Sequence, residues 1–294
     1  MSHNAPHSAT KGIDAAAPAE AMRELYDSYF TSHDYKRRYP KPNPATLQFL
    51  LEEGQAASAR SILDLGCGDG RYSVALLDMT TADITGCDIS SGALAEFAAQ
   101  LRGRTDAGRV TLVHDTVEAL SRRRPKKRHD LSLLLFGVLS HAGDQAARVS
   151  MLKAVRDQTQ PDGRLLLSVP SIWRRRPLEL LQKLIRRAFN REQQDASVGD
   201  MTFSRVIDGH PQTFFYHLYS LSRLRHELDL AGWVLESSQA ESLLPEWLIT
   251  QHSGIGRLDR LIRPLLPASL GYGIRVVARV KPHLNVTQSN VAEL

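Results

Sequence analysis

Residues 60–72 read RSILDLGCGDGRY. Ile62, Leu63 and Leu65 form a short apolar run suited to a buried parallel strand, and Gly66, Gly68 and Gly70 follow at once before helix-forming sequence. The expected order is strand, tight glycine turn, helix. A chain that reverses direction while a ligand lies against its backbone has no room for a Cβ, which is why glycine is needed there. The N–H groups that open the following helix then face the ligand with partial positive charge.

A glycine loop by itself is weak evidence, and this one departs from the dinucleotide fingerprint G-x-G-x-x-G, whose third glycine would fall on Arg71. The next strand, ADITGCDIS, strengthens the reading because its apolar run ends in Asp88, eighteen residues beyond Gly70, with Ile89 beside it. An acidic side chain at the tip of a second strand can accept hydrogen bonds from both ribose hydroxyls, a demand shared by nicotinamide and S-adenosylmethionine (SAM) sites. The pair points to an adenosine-containing cofactor. The spacing Asp64-x-Gly66-x-Gly68-x-Gly70 resembles the SAM motif of class I methyltransferases.

A chain of 294 residues with 42% hydrophobic content can bury a large core, and one α/β domain with insertions is expected. No run approaches the apolar length of a membrane span, and the start lacks a charged-then-apolar signal, so a soluble, cytoplasmic protein is expected. The two cysteines, Cys67 and Cys87, read as small buried reduced thiols, with a redox-sensitive pair as the alternative. No Cys/His cluster has zinc-ligand spacing, and no metal site is expected. The net charge of +5 suggests an acidic partner without identifying one.

Along the chain, residues 1–21 lack periodicity and read as a disordered tail, and 283–294 as a flexible one. Residues 22–60 hold Leu25, Tyr26, Tyr29, Phe30, Tyr35 and Tyr39, then the prolines of YPKPNP and a helix near 45–53. This segment reads as a helical lid, or equally as helix packed on a sheet edge. The core at 61–170 is expected as strand Ser61–Leu65, helix Arg71–Met79, strand Asp83–Asp88, helix Ser91–Leu101, strand 109–114, strand 131–136, helix Gln145–Gln158 and strand 164–169. Asp115 follows the third strand and is read either as an adenine partner or as the cap of a helix starting at Thr116.

Two stretches are strongly basic. SRRRPKKRHD carries six Arg or Lys between Arg122 and Arg128, read as a solvated face or as a contact for a polyanion. Within the expected basic helical insertion at 171–212, residues 171–191 hold seven Arg or Lys and one Glu at amphipathic spacing. That helix is a cap, a lipid-surface contact or a nucleic-acid contact. Residues 213–282 then supply an aromatic stretch, a helix capped by Ser220 or Ser222 and stopped at Gly232, a second basic amphipathic segment, GRLDRLIRPLLP, and the last strand in GYGIRVVARV.

The resemblance to class I SAM-dependent methyltransferases covers residues 61–168 motif by motif and 213–280 in layout. It implies a Rossmann-like α/β fold: a seven-stranded, mostly parallel sheet with an antiparallel last strand, helices on both faces and helical lid insertions. It implies SAM as cofactor, with Asp64 and the turn Gly66, Cys67, Gly68 and Gly70 at its methionine end, Asp88 and Ile89 at the ribose, Asp115 and Thr116 at the adenine, and Phe136 on the methyl side. His141, Tyr216 and His217 are candidate bases, needed only if the acceptor loses a proton; packing is their alternative role. A small-molecule or lipid-like acceptor is the first reading. Tyr26 to Tyr39, the glycine loop and FFYHLYS also look like the tRNA wobble-uridine carboxymethyl methyltransferases, although FGVLSH and the middle insertion depart from them. A non-catalytic nucleotide-binding module or an NAD-dependent enzyme is the alternative of another class.

Overall fold

The computed structural model describes residues 19–122, 128–175, 199–207 and 209–282. Three helices come first: α1 (Ala19–Thr31), α2 (His33–Arg38) and α3 (Pro44–Ala56). The core runs β1 (Ser61–Leu65), α4 (Arg71–Met79), β2 (Asp83–Asp88), α5 (Ser91–Leu101), β3 (Val110–His114), α6 (Val117–Arg122), β4 (His129–Leu134), α7 (Gln145–Gln158) and β5 (Thr159–Pro170). After the short α8 (Ile172–Arg175) come β6 (Asp200–Ile207), β7 (His210–His217), α9 (Leu221–Leu230), β8 (Trp233–Ser242), α10 (Glu246–Gln251), α11 (Ser253–Ile262) and β9 (Gly273–Val280).

The main sheet has seven strands in the order β3-β2-β1-β4-β5-β9-β8. The five strands from β1 to β5 are parallel to their neighbours, and β9 inserts antiparallel to both β5 and β8. Period-two alternation of apolar side chains divides the core between the two faces of this sheet. Leu63, Leu65, Leu165, Leu167 and Val276 pack with Leu152 and Val155 of α7 and Leu224 and Leu228 of α9. Ile62, Leu166 and Val277 point the other way, toward Phe49 of α3, Leu76 of α4 and Phe97 of α5. Trp233 closes the first face, its indole N–H donating to the Leu152 carbonyl at 3.0 Å.

Outside the sheet stands an unexpected hairpin. The insertion at 171–212 was read as helical; residues 172–175 are helix, but 200–207 form β6, paired antiparallel with β7 from Asp200↔His217 to Ile207↔His210. The basic stretch at 176–191 and residues 123–127 lie outside the described residues. The hairpin gives up its apolar side to α1, where Met22, Leu25 and Tyr29 bury against Ile207 and Phe214. Two segments far apart in sequence thereby make one roof.

Candidate functional site

The glycine turn and the second strand's carboxylate meet. At the tip of β1 the chain turns through Gly66, Gly68 and Gly70, all at positive φ (69°, 57° and 79°). The Gly66 and Cys67 amides donate to the Cys87 carbonyl on β2 at 2.8 and 3.2 Å. The Gly68 amide donates to Oδ2 of Asp88 at 2.8 Å, and the Ser90 amide donates to Oδ1 at 2.9 Å. The Ile89 amide also bonds this carboxylate, which keeps acceptor capacity for a ligand. The three glycines have different reasons to lack a side chain. A Cβ on Gly66 would lie 2.4 Å from Val138, on Gly68 2.8 Å from Phe30, and on Gly70 2.2 Å from Phe97. Gly66, Cys67 and Gly68 line the cavity, whereas Gly70, expected at the ligand, is absent from its wall and makes room for Phe97 beneath the turn.

The cavity measures about 520 Å³, within the range of small-molecule sites. It lies at the carboxyl ends of the parallel strands, where open α/β sheets bind ligands. From β1 it takes Asp64, from β2 Asp88 and Ile89, from the end of β3 Asp115 and Thr116, and from the end of β4 Phe136 to Val138. Thr116, not Asp115, caps the helix: its hydroxyl accepts the Ala119 amide at 3.1 Å, and the Asp115 carboxylate accepts the Thr116 amide at 2.9 Å. Both still face the cavity.

Asp64 is buried and accepts the Ser73 hydroxyl at 2.6 Å. Burial pushes its carboxyl up to about 6, the Ser73 bond opposing and nearby Asp88 adding to the rise. Asp88 is raised in the same direction by its own burial. A cation bound beside these two acids would favour their ionised forms. The Cys67 thiol is pushed up by burial, then by Asp64 and Asp88, so it stays protonated and unreactive. Cys87 is also a buried thiol, its Sγ donating to the Asp115 carbonyl at 3.4 Å.

Beyond the glycine turn the chain makes a bend that the sequence reading missed. Strand β4 ends at Leu134, and Phe136 takes φ 55°, an uncommon conformation for an aromatic residue. Its amide donates to the Ser168 hydroxyl at 2.7 Å, and Gly137, also at positive φ, fits under Tyr216. This turns residues 136–143 along the wall and brings His141 inside. The His141 ring stacks on Tyr216 with centroids 4.4 Å apart, and Nε2 meets the Tyr26 hydroxyl from α1. Nδ1 lies 3.0 Å from the Phe215 carbonyl oxygen, which can only accept, so the proton sits on Nδ1 and Nε2 is the basic nitrogen.

Of the three candidate bases, His141 and Tyr216 line the cavity and His217 does not. His217 is buried on the other side of β7, its Nδ1 2.6 Å from Asp200 and its ring edge-on to Tyr219. Burial lowers its pKa, with Asp200 pulling the other way. Neighbouring strand residues point to opposite faces, so Tyr216 and His217 cannot both reach one site.

The far wall comes from residues that no spacing predicted. Glu246 of α10 accepts the Tyr72 hydroxyl at 2.6 Å and pairs with Arg71 at 3.1 Å. The Arg71 guanidinium also lies over the rings of Tyr39 and Tyr72 at 5.1 and 4.8 Å. Burial works against its charge, but Glu246 more than restores it, and its pKa is raised. Trp247 and Arg38 complete this end, stacked at 5.4 Å.

The family model for a methyltransferase domain matches residues 62–163. A ubiquinone biosynthesis O-methyltransferase of Photorhabdus laumondii is 28% identical over 126 residues, which are 43% of this chain and 49% of that protein. One from Yersinia enterocolitica is 26% identical with the same coverage. The chain thus spans about half the length of the curated relatives it matches. Among solved structures, the 1,6-didemethyltoxoflavin-N1-methyltransferase of Burkholderia thailandensis superposes with a TM-score of 0.57 at 18% identity, covering 95% of this chain and 94% of that one. A S-adenosylmethionine-dependent methyltransferase from Clostridium acetobutylicum gives a TM-score of 0.55 at 12% identity over 90% of this chain and 99% of the other. At such identities the structural likeness concerns the fold.

Proposed function

We propose that this chain, whose residues 62–163 match a methyltransferase domain, is a class I SAM-dependent enzyme that transfers the methyl group of SAM to a hydroxyl of a small, aromatic or lipid-like acceptor. One observation carries the reading: a single cavity joins the Gly68–Asp88 contact to the Tyr26, His141 and Tyr216 cluster, under a roof built from α1 and the β6–β7 hairpin. The relatives named O-methyltransferases support an oxygen acceptor.

The residues fit the donor. Gly66, Cys67 and Gly68 border the cavity at the turn, Asp64 lies in its wall as a counter-charge for an ammonium, and Asp88 keeps acceptor capacity for a ribose. Ile89, Asp115, Thr116 and Val117 bound the space for the base. SAM, when bound, supplies an activated methyl on its sulfonium. The protein has little covalent work to do, and holding the acceptor oxygen in line while excluding water accounts for much of the rate. Tyr26, Tyr29, Phe30 and Tyr35 supply that dry roof. His141, protonated at Nδ1, takes the acceptor's proton at Nε2 when the hydroxyl replaces that of Tyr26.

The tRNA reading has less support, because the lining cations among the described residues are Arg38 and Arg71, and Arg71 is held by Glu246. The antiparallel β9 stands against a dehydrogenase. The test is incubation with labelled SAM and a panel of catechols, phenols, amines and bulk tRNA. Label in a phenolic product supports the proposal; label only in amine or tRNA refutes it.

A further inference from the structure

The segment between β8 and β9 carries a helix that buries an acidic residue and exposes leucines. On α11, Asp259 is 2% exposed and accepts the Leu243 amide at 2.6 Å. Gly256 lies so close to α10 that a Cβ there would be 3.0 Å from the Ile249 carbonyl oxygen. Several apolar side chains face outward. Leu258 is 57% exposed, Leu261 74% and Ile262 38%, and the turn that follows adds Leu265 at 81%. Positions 258, 261, 262 and 265 fall on one stripe at helical spacing. One exposed leucine on a protein surface needs no explanation, whereas a contiguous stripe marks an interaction face.

Its charge says what kind of partner fits. Arg257 and Arg260 are exposed beside the stripe. Between Trp247 and Gly271 the only acidic residue is Asp259, which is buried. The face therefore presents leucines flanked by cations, with no exposed carboxylate from its own segment. We propose that α11 and the turn after it form an insertion surface for a bilayer containing anionic lipids. The leucines enter the acyl boundary, and Arg257 and Arg260 meet the phosphates while their stems lie along the apolar layer. A second copy of the chain fits less well, because a two-fold contact through this stripe sets the same arginines against each other. The surface adjoins the cavity: α10, which leads directly into α11, contributes Glu246 and Trp247 to its wall.

Co-sedimentation of the full chain with vesicles of phosphatidylcholine alone, and of phosphatidylcholine mixed with phosphatidylglycerol, tests this. Partition onto the anionic vesicles is expected to be stronger by on the order of tenfold or more and to fall as salt is raised. Replacing Leu258, Leu261 and Leu265 together with Ser removes most of that binding with little change in melting temperature, since these side chains are mostly exposed. The pair Arg257→Glu and Arg260→Glu abolishes the preference for anionic lipid and serves as a second variant should the first melt early. A wild type that stays in the supernatant, a leucine variant that sediments like wild type, or a leucine-dependent dimer in light scattering without vesicle binding would each overturn the proposal.

Discussion

The Tyr26 hydroxyl and Nε2 of His141 are hydrogen-bonded across a separation of 115 residues. One belongs to the first helix and the other to the bend after β4, so the roof is joined to the wall at the nitrogen best placed to take a proton. His141→Ala is expected to lower turnover of a phenolic acceptor by on the order of 10²-fold or more while leaving SAM affinity within about twofold. Tyr26→Phe removes the hydroxyl that competes for Nε2 and is expected to cost far less. Steady-state kinetics alongside calorimetry would check both, and equal turnover in His141→Ala would remove the residue from catalysis.

Asp64 sets a pH dependence. Burial pushes its carboxyl up to about 6, against about 3.9 for a free aspartate. Between about pH 4 and 6 the folded state holds a proton that the unfolded state has lost, so the stability of the ligand-free protein falls as pH rises through that window and is flat above it. Binding a cation favours the ionised form, so SAM affinity runs oppositely: full above pH 6 and weaker by on the order of tenfold at pH 5. Asp88, raised by burial, contributes with the same sign. Calorimetry at pH 5, 6 and 7.5 reads this out, and Asp64→Asn should flatten the profile. Affinity that rises on acidification contradicts the assignment.

Gly70 and Gly103 separate packing from backbone strain. Both have positive φ, 79° and 76°, but a Cβ on Gly70 would meet Phe97 at 2.2 Å while one on Gly103 has nothing within 4 Å. Gly103→Ala is expected to cost about 1 kcal/mol, the left-handed term alone. Gly70→Ala adds overpacking, for roughly 2–4 kcal/mol in total. Urea denaturation distinguishes them, and equal losses would mean that Phe97 yields freely.

Arg148 and Glu227 form an ion pair at 2.8 Å with side chains 2% and 0% exposed, and Tyr219 donates to the same carboxylate at 2.8 Å. Arg148 also donates to the Gly143 carbonyl at 2.8 Å, so the pair braces the bend that carries His141. Glu227→Gln leaves a buried guanidinium undercompensated and is expected to cost about 3 kcal/mol by denaturant titration. A loss below about 1 kcal/mol would show the pair to be dispensable.

Much of the sheet was legible because its strands are locally specified. Ser61–Leu65, Arg71–Met79, Asp83–Asp88, Ser91–Leu101 and Gln145–Gln158 have the bounds that apolar runs, glycines and caps suggested. The fourth strand did not end where its apolar run ends: Leu135 and Phe136 continue the hydrophobic sequence but leave the sheet at a positive φ set by tertiary contacts with Ser168 and Tyr216. The β6–β7 hairpin was missed beneath the charge of the preceding stretch, although Asp208-Gly209 between two alternating segments is a strong hairpin signal, and Gly209 has φ 81°. Recognising that strand would have set Tyr216 and His217 on opposite faces. Glu246 had no such signal. It meets Arg71 across 175 residues, a contact that only the folded sheet creates.

The central claim is that the space between the glycine turn and Asp88 holds SAM. Isothermal titration calorimetry of the full chain with SAM and, separately, with NADH tests it most directly. Saturable one-to-one heat with SAM and none with NADH is expected; binding of NADH with no heat from SAM would overturn the SAM assignment.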